Sequence, residues 1–345
     1  MSHDVQGVDT VRVTEWFATH VPEAQPPLTF DLIAGGHSNL TYRVEDAQGA
    51  AWVLRRPPLG QVLATAHDMG REHSVISALA GTAVPVPGAH GLCTDEAVNG
   101  APFYVMDFVD GQVVRNADLA RALSDEQRQA AGHSIVDVLA DIHAVDVDAV
   151  GLGALGRRED YIARQLKRWH GQWEKSKTRE LPLVDQVHQG LLAAIPEQGR
   201  TGIVHGDYRL DNCLLGDDGR IVAVLDWEIC TLGDPLADVG LLMVYWPEPA
   251  DEHQIPPNAP TAAGGFPTRA QMLERYAEVS GRDLTHIDYF MAFGYWKLAC
   301  IVEGVYARYV GGAMGARGSG AEFDVFAAQV DALATAAAHA LERSA

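Results

Sequence analysis

The sequence predicts an α+β fold in which a strand-rich N-terminal part precedes a mainly helical C-terminal part. Short apolar runs bounded by Gly, Pro and Asp, which are typical of strands, lie mostly within residues 30–109. Apolar residues at helical spacing mark residues 124–143, residues 289–310 and the alanine-rich segment from residue 323 onward. A chain of 345 residues is long enough for about two domains, or for one two-lobed unit with a sizeable core.

The overall charge and the cysteines argue against several classes of partner and site. The chain has 26 basic and 46 acidic residues, and its net charge of −20 argues against nucleic acid or an anionic membrane as the main partner. Cys93, Cys213, Cys230 and Cys300 lie far apart without CxxC spacing, so neither a zinc site nor a disulfide framework is indicated. The first residues lack the pattern of a secretory signal, and the longest apolar runs, of about eight residues, are too short to cross a bilayer. We predict a cytoplasmic protein.

The stretch from residue 205 to residue 228, HGDYRLDNCLLGDDGRIVAVLDWE, contains the most concentrated set of candidate catalytic residues. An apolar run typical of a buried strand, Ile221 to Leu225, ends in Asp226, and a polar loop lies before it. The polar residues of that loop are His205, Asp207, Arg209 and Asn212. Asp and Asn in turns often only cap their own backbone, and this structural interpretation stands beside the catalytic one.

The spacing of these residues fits the transfer of a phosphoryl group. That chemistry needs a carboxylate to orient and deprotonate the attacking hydroxyl, and oxygen ligands for the magnesium ions that bridge the phosphates. Kinases carry these groups as H-x-D-x-x-x-x-N followed by a second Asp. Here Asn212 lies five residues after Asp207, and Asp226 lies fourteen residues after Asn212. With HGD in place of HRD and DWE in place of DFG, the sequence resembles the kinase-like phosphotransferases of the aminoglycoside phosphotransferase and choline kinase superfamily.

This resemblance implies a two-lobed protein kinase-like fold and a small-molecule kinase. The expected lobes are a nucleotide-binding N-terminal lobe, residues 1–107, and a C-terminal lobe for catalysis and acceptor binding, residues 108–345. The implied reaction is the magnesium-dependent transfer of the γ-phosphate of ATP, or of GTP, to a hydroxyl of a small molecule. The implied roles are catalysis for Asp207 and Arg209, binding of Mg²⁺ for Asn212 and Asp226, and structural support of the loop for His205, Glu228 and Asp234.

The resemblance also implies nucleotide-binding residues in the N-terminal lobe. Residues 30–42, FDLIAGGHSNLTY, place a glycine pair between two strand-like runs, and the backbone N–H groups of such a hairpin can approach phosphate. A Gly-Gly pair is equally an ordinary hairpin turn. After the strand-like run that begins at residue 101, backbone groups of Asp107 and Val109 would read adenine, although an ordinary core strand has the same pattern. The residues expected to bind nucleotide in the hairpin are Gly35, Gly36, Ser38 and Asn39.

Arg55 and Glu72 are expected to form the ion pair of an active kinase. Arg55 lies where the kinase pattern V-A-I-K has its phosphate-binding Lys, and its planar guanidinium can also pair with phosphate oxygens. A helix predicted from Asp68 places Glu72 on the apolar face, where a carboxylate is costly unless it is paired. The alternatives are a solvated strand edge for Arg55 and a favourable helix-dipole interaction for Glu72.

The segment Arg157–Arg179 contrasts with the acidic remainder of the chain. It has eight basic and three acidic residues, a surplus of five, so the remainder carries −25. Ile162, Leu166, Trp169 and Trp173 form an apolar stripe, which predicts an amphipathic helix with a cationic outer face. That face is either merely solvated, or it recruits an anionic substrate such as a carboxylate or the phosphates of CoA.

The sequence leaves open the identity of the phosphate acceptor and the oligomeric state. The LRRPP segment, the basic helix and the RLDN loop resemble the branch of the superfamily that is linked to acyl-CoA dehydrogenases, which suggests a hydroxylated acyl or other anionic acceptor. Aminoglycosides are polycations and would also suit an acidic protein. The polar residues within 289–310, including Lys297, could line the acceptor pocket or pair with each other. A non-catalytic nucleotide-binding module is the alternative that Arg55 in place of Lys favours, while the intact catalytic pattern argues for an enzyme.

Overall fold

The computed structural model describes residues 5–34, 39–59, 68–251, 255–311 and 320–344. The chain divides into two compact units, the first formed by Met1–Gly111 with Val222–Ile229 and the second by Gln112–Ile221 with Cys230–Ala345. The mixture of one five-stranded sheet with many helices confirms the α+β class. The predicted lobe boundary after residue 107 stays a prediction, since the first unit also takes in a short segment from much later in the chain.

The first unit is built around an antiparallel sheet with the strand order β1-β2-β3-β5-β4. Its elements are α1 (Thr10–His20), β1 (Thr29–Ala34), β2 (Leu40–Glu45), β3 (Ala51–Arg56), α2 (Met69–Leu79), β4 (Ala89–Cys93), α3 (Glu96–Asn99) and β5 (Phe103–Asp107). On one face of this sheet, α1 buries Phe17 against Trp52, with the two rings at 78° and their centroids 6.2 Å apart. Strand β3 lies between β2 and β5, and all of its residues after Ala51 are buried.

Helix α2 brings a carboxylate to the buried side of the first unit. Asp68 caps it as the sequence predicts, because the side chain of Asp68 accepts a hydrogen bond from the backbone N–H of Arg71. The apolar face, which includes Val75 and Leu79, packs on β4 and β5. Glu72 lies on this same face and is fully buried. The helical period therefore places Glu72 beside the sheet that contains Arg55.

The second unit is mainly helical. Its elements are α4 (Ala117–Arg121), α5 (Asp125–Ala144), α6 (Tyr161–Ser176), α7 (Pro182–Ala193), β6 (Gly202–Val204), β7 (Cys213–Leu215), β9 (Thr231–Gly233), α8 (Leu236–Val244), α9 (Arg269–Ser280), α10 (Ile287–Val310) and α11 (Gly320–Arg343), with short 3₁₀ helices at Leu210–Asn212 and Pro260–Ala263. Strand β8 (Ile221–Val224) begins at the last residue of this unit's first segment. Strands β6 and β9 pair antiparallel. Capping boxes begin α5, at Ser124 with Gln127 as the sequence predicts, and α9.

Helix α10 is the centre of the second unit and packs against α6, α7, α8 and α11. Its apolar residues are buried almost throughout, with Lys297 and Glu303 as buried charged exceptions. Gly240 of α8 faces the backbone of Phe290, and a Cβ at that position would lie only 2.5 Å from the Phe290 carbonyl carbon. Glycine therefore permits the close approach of α8 and α10, the two helices that carry Asp238 and Lys297.

Helix α6 has the amphipathic pattern that the sequence predicts. Ile162, Leu166 and Trp173 are buried, while Lys167 and Arg168 are exposed. None of the helices in the described part of the chain combines the length and the apolar character that a membrane-spanning helix needs.

Candidate active site

In the first unit, Arg55 joins two carboxylates. Its Nη1 lies 2.9 Å from Oε1 of Glu72, and its Nη2 lies 2.8 Å from Oδ1 of Asp226. The predicted pairing of Arg55 with Glu72 is therefore present, and the contact with Asp226 adds a partner that the sequence did not indicate. The side chain of Glu72 is 0% exposed and that of Asp226 is 33% exposed. Asp226 has a positive φ of 65°, a conformation that few residues other than glycine adopt.

The charges of this ion-paired group strongly affect one another. Burial raises the pKa of Glu72 to about 7, although Arg55 opposes the rise. Burial lowers the pKa of Arg55, but Glu72, Tyr104 and Asp226 more than offset this effect, so the pKa is raised overall and the guanidinium keeps its charge. The Nε of Arg55 is buried and has no hydrogen-bond partner within the described residues. Since a guanidinium has five N–H donors, Arg55 retains donors for a further anionic group.

The segment after Asp226 is attached to its surroundings within the first unit. The backbone N–H of Trp227 donates to Oε1 of Glu72 at 3.2 Å, and the side-chain amide of Asn39 donates to Oε2 of Glu228 at 3.1 Å. Asn39 and Glu228, predicted for nucleotide binding and for loop support, are thus in contact. Gly35, Gly36 and Ser38 lie outside the described residues.

Asp107 ends strand β5, where the sequence predicts the adenine-reading segment. Its backbone N–H donates to the carbonyl of Gly88 at 2.8 Å, and its carboxylate accepts from the Gly88 N–H and lies 2.7 Å from Nε2 of His90. The backbone N–H of Asp107 is therefore already engaged within the first unit. Val109 lies two residues further on, in a stretch without regular structure.

In the second unit, the loop after β6 holds Asp207 in a fixed orientation. The 3₁₀ helix Leu210–Asn212 brings Asn212 back to Asp207, and its side-chain amide donates to both the backbone oxygen and Oδ2 of Asp207, at 2.8 and 2.9 Å. Arg209 is close on the other side, with its Nε 3.4 Å from Oδ2 of Asp207 and its Nη1 2.9 Å from Oδ2 of Asp211. The Asp207 side chain is 31% exposed. Asp207, Arg209 and Asn212 are thus brought together as the spacing predicts.

Tyr245 is a member of this group that sequence reasoning missed. The guanidinium of Arg209 lies over its ring, 5.0 Å from the centroid. Burial raises the pKa of Tyr245, and the charge of Asp207 and a hydrogen bond to Asp207 raise it further, so the hydroxyl stays protonated as a donor to the carboxylate. In the sequence, Tyr245 lies at the end of the apolar run that forms α8, where a tyrosine resembles any other core aromatic residue. A hydroxyl at the end of an otherwise apolar helix was the available signal.

Two buried charged side chains, Asp238 and Lys297, form hydrogen bonds with the backbone of this loop. Asp238 of α8 accepts hydrogen bonds from the backbone N–H groups of His205 and Gly206, at 2.6 and 2.9 Å. The Nζ of Lys297 in α10 donates to the carbonyl oxygen of Gly206 at 2.8 Å. The imidazole Nδ1 of His205 accepts from the N–H of Asp207 at 3.3 Å. The residue before Asp207 is therefore held at both its N–H and its carbonyl group.

Asp234, predicted to support the loop, contacts the backbone at the start of α8. Its Oδ1 accepts from the backbone N–H of Leu236 at 3.0 Å, while Asp238, one helical turn further on, binds the loop. His143 stands behind Asp238, with its Nε2 3.6 Å from Oδ2 of Asp238 and its Nδ1 2.7 Å from the hydroxyl of Tyr276. Burial lowers the pKa of His143, so this imidazole remains neutral.

Each unit contains a side chain with an oxygen of the kind that a hard cation binds. Asp226 offers a carboxylate, and Asn212 keeps its amide oxygen as an acceptor while its nitrogen donates to Asp207. Carboxylate and amide oxygens are the protein ligands that Mg²⁺ prefers. The residues therefore fit the metal that the resemblance implies.

Two cavities in the second unit adjoin the catalytic loop or its supports. One, of about 200 Å³, is lined by Arg115, Arg209, Asp211, Tyr245 and Pro256. The other, which we call the basic groove, has a volume of about 360 Å³ and is lined by Arg168, Trp169, Gln172, Cys300, Gly304 and Arg308. The ring of Trp169 lies 5.7 Å from Nζ of Lys297, the lysine that binds Gly206. A larger cavity, of about 720 Å³, is lined by residues of α9, α10 and α11 and includes none of the loop residues 205–212.

The basic groove contains two arginines that have no ion-pair partner among the described residues. In the part of the chain that the structure describes, neither Arg168 nor Arg308 has a carboxylate within ion-pair distance. This is unusual surface chemistry for a chain with a net charge of −20. Trp169 adds an aromatic face, over which the guanidinium of Arg168 lies 5.3 Å from the ring centroid.

Comparison with known proteins identifies the family. A model of the phosphotransferase enzyme family matches residues 29–275. The chain belongs to this family. It is 32% identical to a candidate aminoglycoside phosphotransferase from Ralstonia eutropha, whose solved structure it matches with a TM-score of 0.82 over 97% of this chain and 98% of that one. A solved amicoumacin kinase, 17% identical, matches with a TM-score of 0.61 over 95% of this chain and 93% of that one, and shows the fold alone.

The curated relatives are longer proteins, and the chain matches a part of each. The chain is 35% identical over 308 residues to acyl-CoA dehydrogenase family member 10 of Mus musculus, covering 85% of this chain and 27% of the relative. It is 31% identical over 292 residues to acyl-CoA dehydrogenase family member 11 of Homo sapiens, covering 84% of this chain and 37% of the relative. The chain thus spans about a quarter to two fifths of the length of these relatives.

These findings confirm the resemblance to the aminoglycoside phosphotransferase superfamily and the kinase-like α+β fold. They also confirm that the chain is a phosphotransferase. The solved structures that it resembles are named as phosphotransferases of small molecules. The roles of the individual site residues remain predictions.

Proposed function

We propose that this protein transfers the γ-phosphate of ATP, or of GTP, to a hydroxyl group of a small anionic molecule in a magnesium-dependent reaction. The main support is the arrangement around Asp207, whose carboxylate is oriented by Asn212 and Tyr245 but remains partly exposed. A general base must be both fixed and accessible, because it has to lie within hydrogen-bond reach of the hydroxyl that it deprotonates.

Each residue of the catalytic loop has a role in the proposed reaction. Asp207 accepts the proton of the acceptor hydroxyl while the oxygen of that hydroxyl forms a bond to the γ-phosphorus. The bond from that phosphorus to the β-phosphate oxygen breaks, and ADP leaves. Arg209, 3.4 Å from Asp207, stabilises the negative charge of the transferring group. Most of the rate acceleration then comes from positioning and electrostatics.

The first unit is proposed to bind the nucleotide. The buried Nε–H of Arg55, which has no partner in the described part of this unit, is available to an α- or β-phosphate oxygen. Glu72 fixes the guanidinium in place. The carbonyl of Asp107 and the backbone of Val109 are proposed to read the base, and Gly35, Gly36, Ser38 and Asn39 to cover the phosphates.

The metal has proposed ligands in Asn212 and Asp226. When bound, Mg²⁺ neutralises charge on the phosphate oxygens. His205 stabilises the backbone of the loop, because its ring nitrogen accepts a hydrogen bond from the N–H of Asp207.

The basic groove supports an anionic acceptor, namely a hydroxylated acyl compound such as a hydroxy acid or its CoA thioester. Arg168 and Arg308 can pair with carboxylate or phosphate, and Trp169 offers a face to an acyl or ring system. Lys297 touches both Trp169 and the backbone next to Asp207, so the groove adjoins the residues that hold the base. The similarity to relatives named as acyl-CoA dehydrogenase family members points in the same direction.

The cytoplasmic location stays part of the proposal. Cys93, Cys213, Cys230 and Cys300 are free and buried, as a reducing compartment allows.

The test is the magnesium-dependent release of ADP with two acceptor pools, one of aminoglycosides and one of hydroxylated acids and their CoA thioesters, each run with ATP and with GTP. We expect turnover with the second pool. Asp207→Asn keeps the shape of the side chain but removes the base, so kcat should fall by about 10²- to 10⁴-fold. Binding of the magnesium–ATP complex, measured by calorimetry, should change little in this variant.

A charge-reversal series then tests the acceptor. The double variant Arg168→Glu with Arg308→Glu should raise KM for the acceptor by about tenfold or more, with KM for ATP unchanged. The matched control is Lys175→Glu, an exposed position on the same helix that does not line the groove. Turnover with aminoglycosides instead would refute the anionic acceptor and leave the kinase chemistry intact. ATP binding without turnover in either pool would favour the nucleotide-binding module that the Arg in place of Lys suggested.

A further inference from the structure

A second group of potential ligands lies on α6 and α7, apart from the residues discussed so far. Nε2 of His170 lies 3.3 Å from Oδ1 of Asp185 and 4.0 Å from Oε1 of Glu174. One ligand atom from each of these three side chains lies within 4.8 Å of the other two. All three side chains are partly exposed, so an ion from solvent can reach them.

Helical spacing accounts for this convergence. His170 and Glu174 are separated by four residues on α6, and Asp185 and His188 by three residues on α7, so each pair shares one face of its helix. Helices α6 and α7 pack against each other. Two pairs of ligating side chains, one from each helix, therefore meet at the contact between the helices.

His188 provides an independent observation that points to a ligand. It is only 6% exposed, and neither of its ring nitrogens has a hydrogen-bond partner within the described residues. Leaving a buried polar group without a partner costs about 1–3 kcal/mol. Its ring stacks on that of His170 with centroids 4.0 Å apart, and on its other side it stacks on Trp296. His188 is thus held directly against the cluster with its nitrogens unused.

We propose that His170, Glu174 and Asp185 bind one divalent transition-metal ion of the zinc class, with His188 as a fourth ligand after rotation of its ring. Two imidazoles with two carboxylates form a donor set that suits Zn²⁺ or Co²⁺ and is too rich in nitrogen for Mg²⁺. Lys177, 3.3 Å from Oε1 of Glu174, is the cation that the metal displaces.

The metal would clamp α6 to α7. Because α6 also carries Arg168 and Trp169, the clamp fixes the helix that lines the basic groove. The site itself stands on its own contacts and does not depend on the proposed phosphotransferase reaction.

The experiment is a titration of the full chain, stripped with a chelator and free of nucleotide, with Co²⁺ and Zn²⁺. We expect one equivalent of Co²⁺ to give visible absorption bands of a nitrogen- and oxygen-ligated ion, without the thiolate charge-transfer band that the cysteines would produce. One equivalent of Zn²⁺ should bleach these bands and raise Tm, while an excess of Mg²⁺ should do neither.

Two variants and a control locate the site. Asp185→Asn and His170→Ala should each weaken Zn²⁺ binding by about tenfold or more. His286→Ala removes an exposed imidazole elsewhere in the second unit and should leave it unchanged. Both substitutions in the cluster are at partly exposed positions, so circular dichroism should show the folded chain. The proposal is overturned if the wild-type chain binds no Zn²⁺, if the thiolate band appears, or if the variants bind as tightly as the wild type.

Discussion

The two units hold the charged side chains of their candidate site residues in opposite ways. In the first unit, Arg55 and Glu72 are themselves buried and pair directly with each other, and Arg55 also pairs with Asp226. In the second unit, Asp207 and its neighbour Arg209 remain partly exposed. There the buried charges, Asp238 and Lys297, bind the backbone of the loop rather than the side chains of Asp207 and Arg209.

This difference predicts that substitutions at the candidate residues of the first unit change both stability and activity. Substitutions in the second unit should change activity alone. Charges removed from water must stay paired, because an unpaired buried charge is much more costly than the pair itself. A substitution at Glu72 should therefore destabilise the fold as well as nucleotide binding. Substitutions around Asp207 can change the geometry of the base while the fold persists, since the side chains involved are still hydrated.

The largest expected effect comes from Glu72→Gln, which breaks the buried pair at one end. The amide keeps the volume but removes the buried one of the two carboxylate charges that pair with Arg55. We expect the free energy of unfolding to fall by about 3 kcal/mol, near the lower end of the range for a broken buried ion pair. We also expect kcat/KM for ATP to fall by about 10²-fold, because the guanidinium loses its fixed position. Urea unfolding and steady-state kinetics measure the two effects.

The matched control for this variant is Glu15→Gln, an exposed glutamate on α1 of the same unit. It should alter the free energy of unfolding by less than about 0.5 kcal/mol and leave the kinetics unchanged. If Glu72→Gln behaves like this control in both measurements, the buried pair supports neither folding nor nucleotide binding, and the comparison between the two units fails.

The sequence could predict contacts that follow from local periodicity. Glu72 was found because the helical period places it on an apolar face, where a carboxylate needs a partner, and Arg55 was the cation on the neighbouring strand. Asn212 was found because it lies five residues after Asp207, as in the kinase pattern H-x-D-x-x-x-x-N, and it contacts Asp207 in the structure. In both cases a few residues of chain determine the geometry.

Contacts that depend on packing between distant elements were beyond sequence reasoning. The pairing of Asp226 with Arg55 spans 171 residues and requires a positive φ at Asp226. Lys297 was recognised as a polar exception on α10, but the sequence could not tell that it binds Gly206 rather than Glu303. Glu303 instead accepts from Thr178. An apolar helix shows which residues are polar exceptions, and only the packed structure shows what each of them faces.

A smaller effect, and one confined to activity, is expected from Lys297→Met. Methionine fills a similar volume and removes a charge whose burial lowers the lysine's pKa, so the free energy of unfolding should change by less than about 1 kcal/mol. The loop loses its charge-assisted hydrogen bond at Gly206, and the loss is offset in stability because the desolvation cost of the buried ammonium is also removed. If that bond is needed to orient Asp207, kcat should fall by about tenfold or more while KM for ATP stays the same.

Lys167→Met, at an exposed position on α6, serves as the control for loss of a lysine charge in the same unit. An unfolding midpoint that drops sharply in Lys297→Met while kcat is kept would show that the lysine acts in folding only. The rescue variant Lys297→Arg, which keeps the charge, should recover part of kcat.

The smallest expected effect is a pH dependence of stability set by His143, behind the loop. Burial lowers its pKa from the ordinary value of 6.5, and the groups facing it are Asp238, Tyr276 and Arg282. As the pH falls below 6.5, the unfolded chain binds a proton that the folded imidazole refuses, so stability is lost with falling pH, by up to about 1.4 kcal/mol per pH unit. His143→Gln cannot titrate, and it should lose less stability than the wild type between pH 6.5 and 5.5 in urea unfolding. Parallel losses in both proteins would mean that His143 is not the group responsible, and that the support behind Asp207 does not respond to pH in this range.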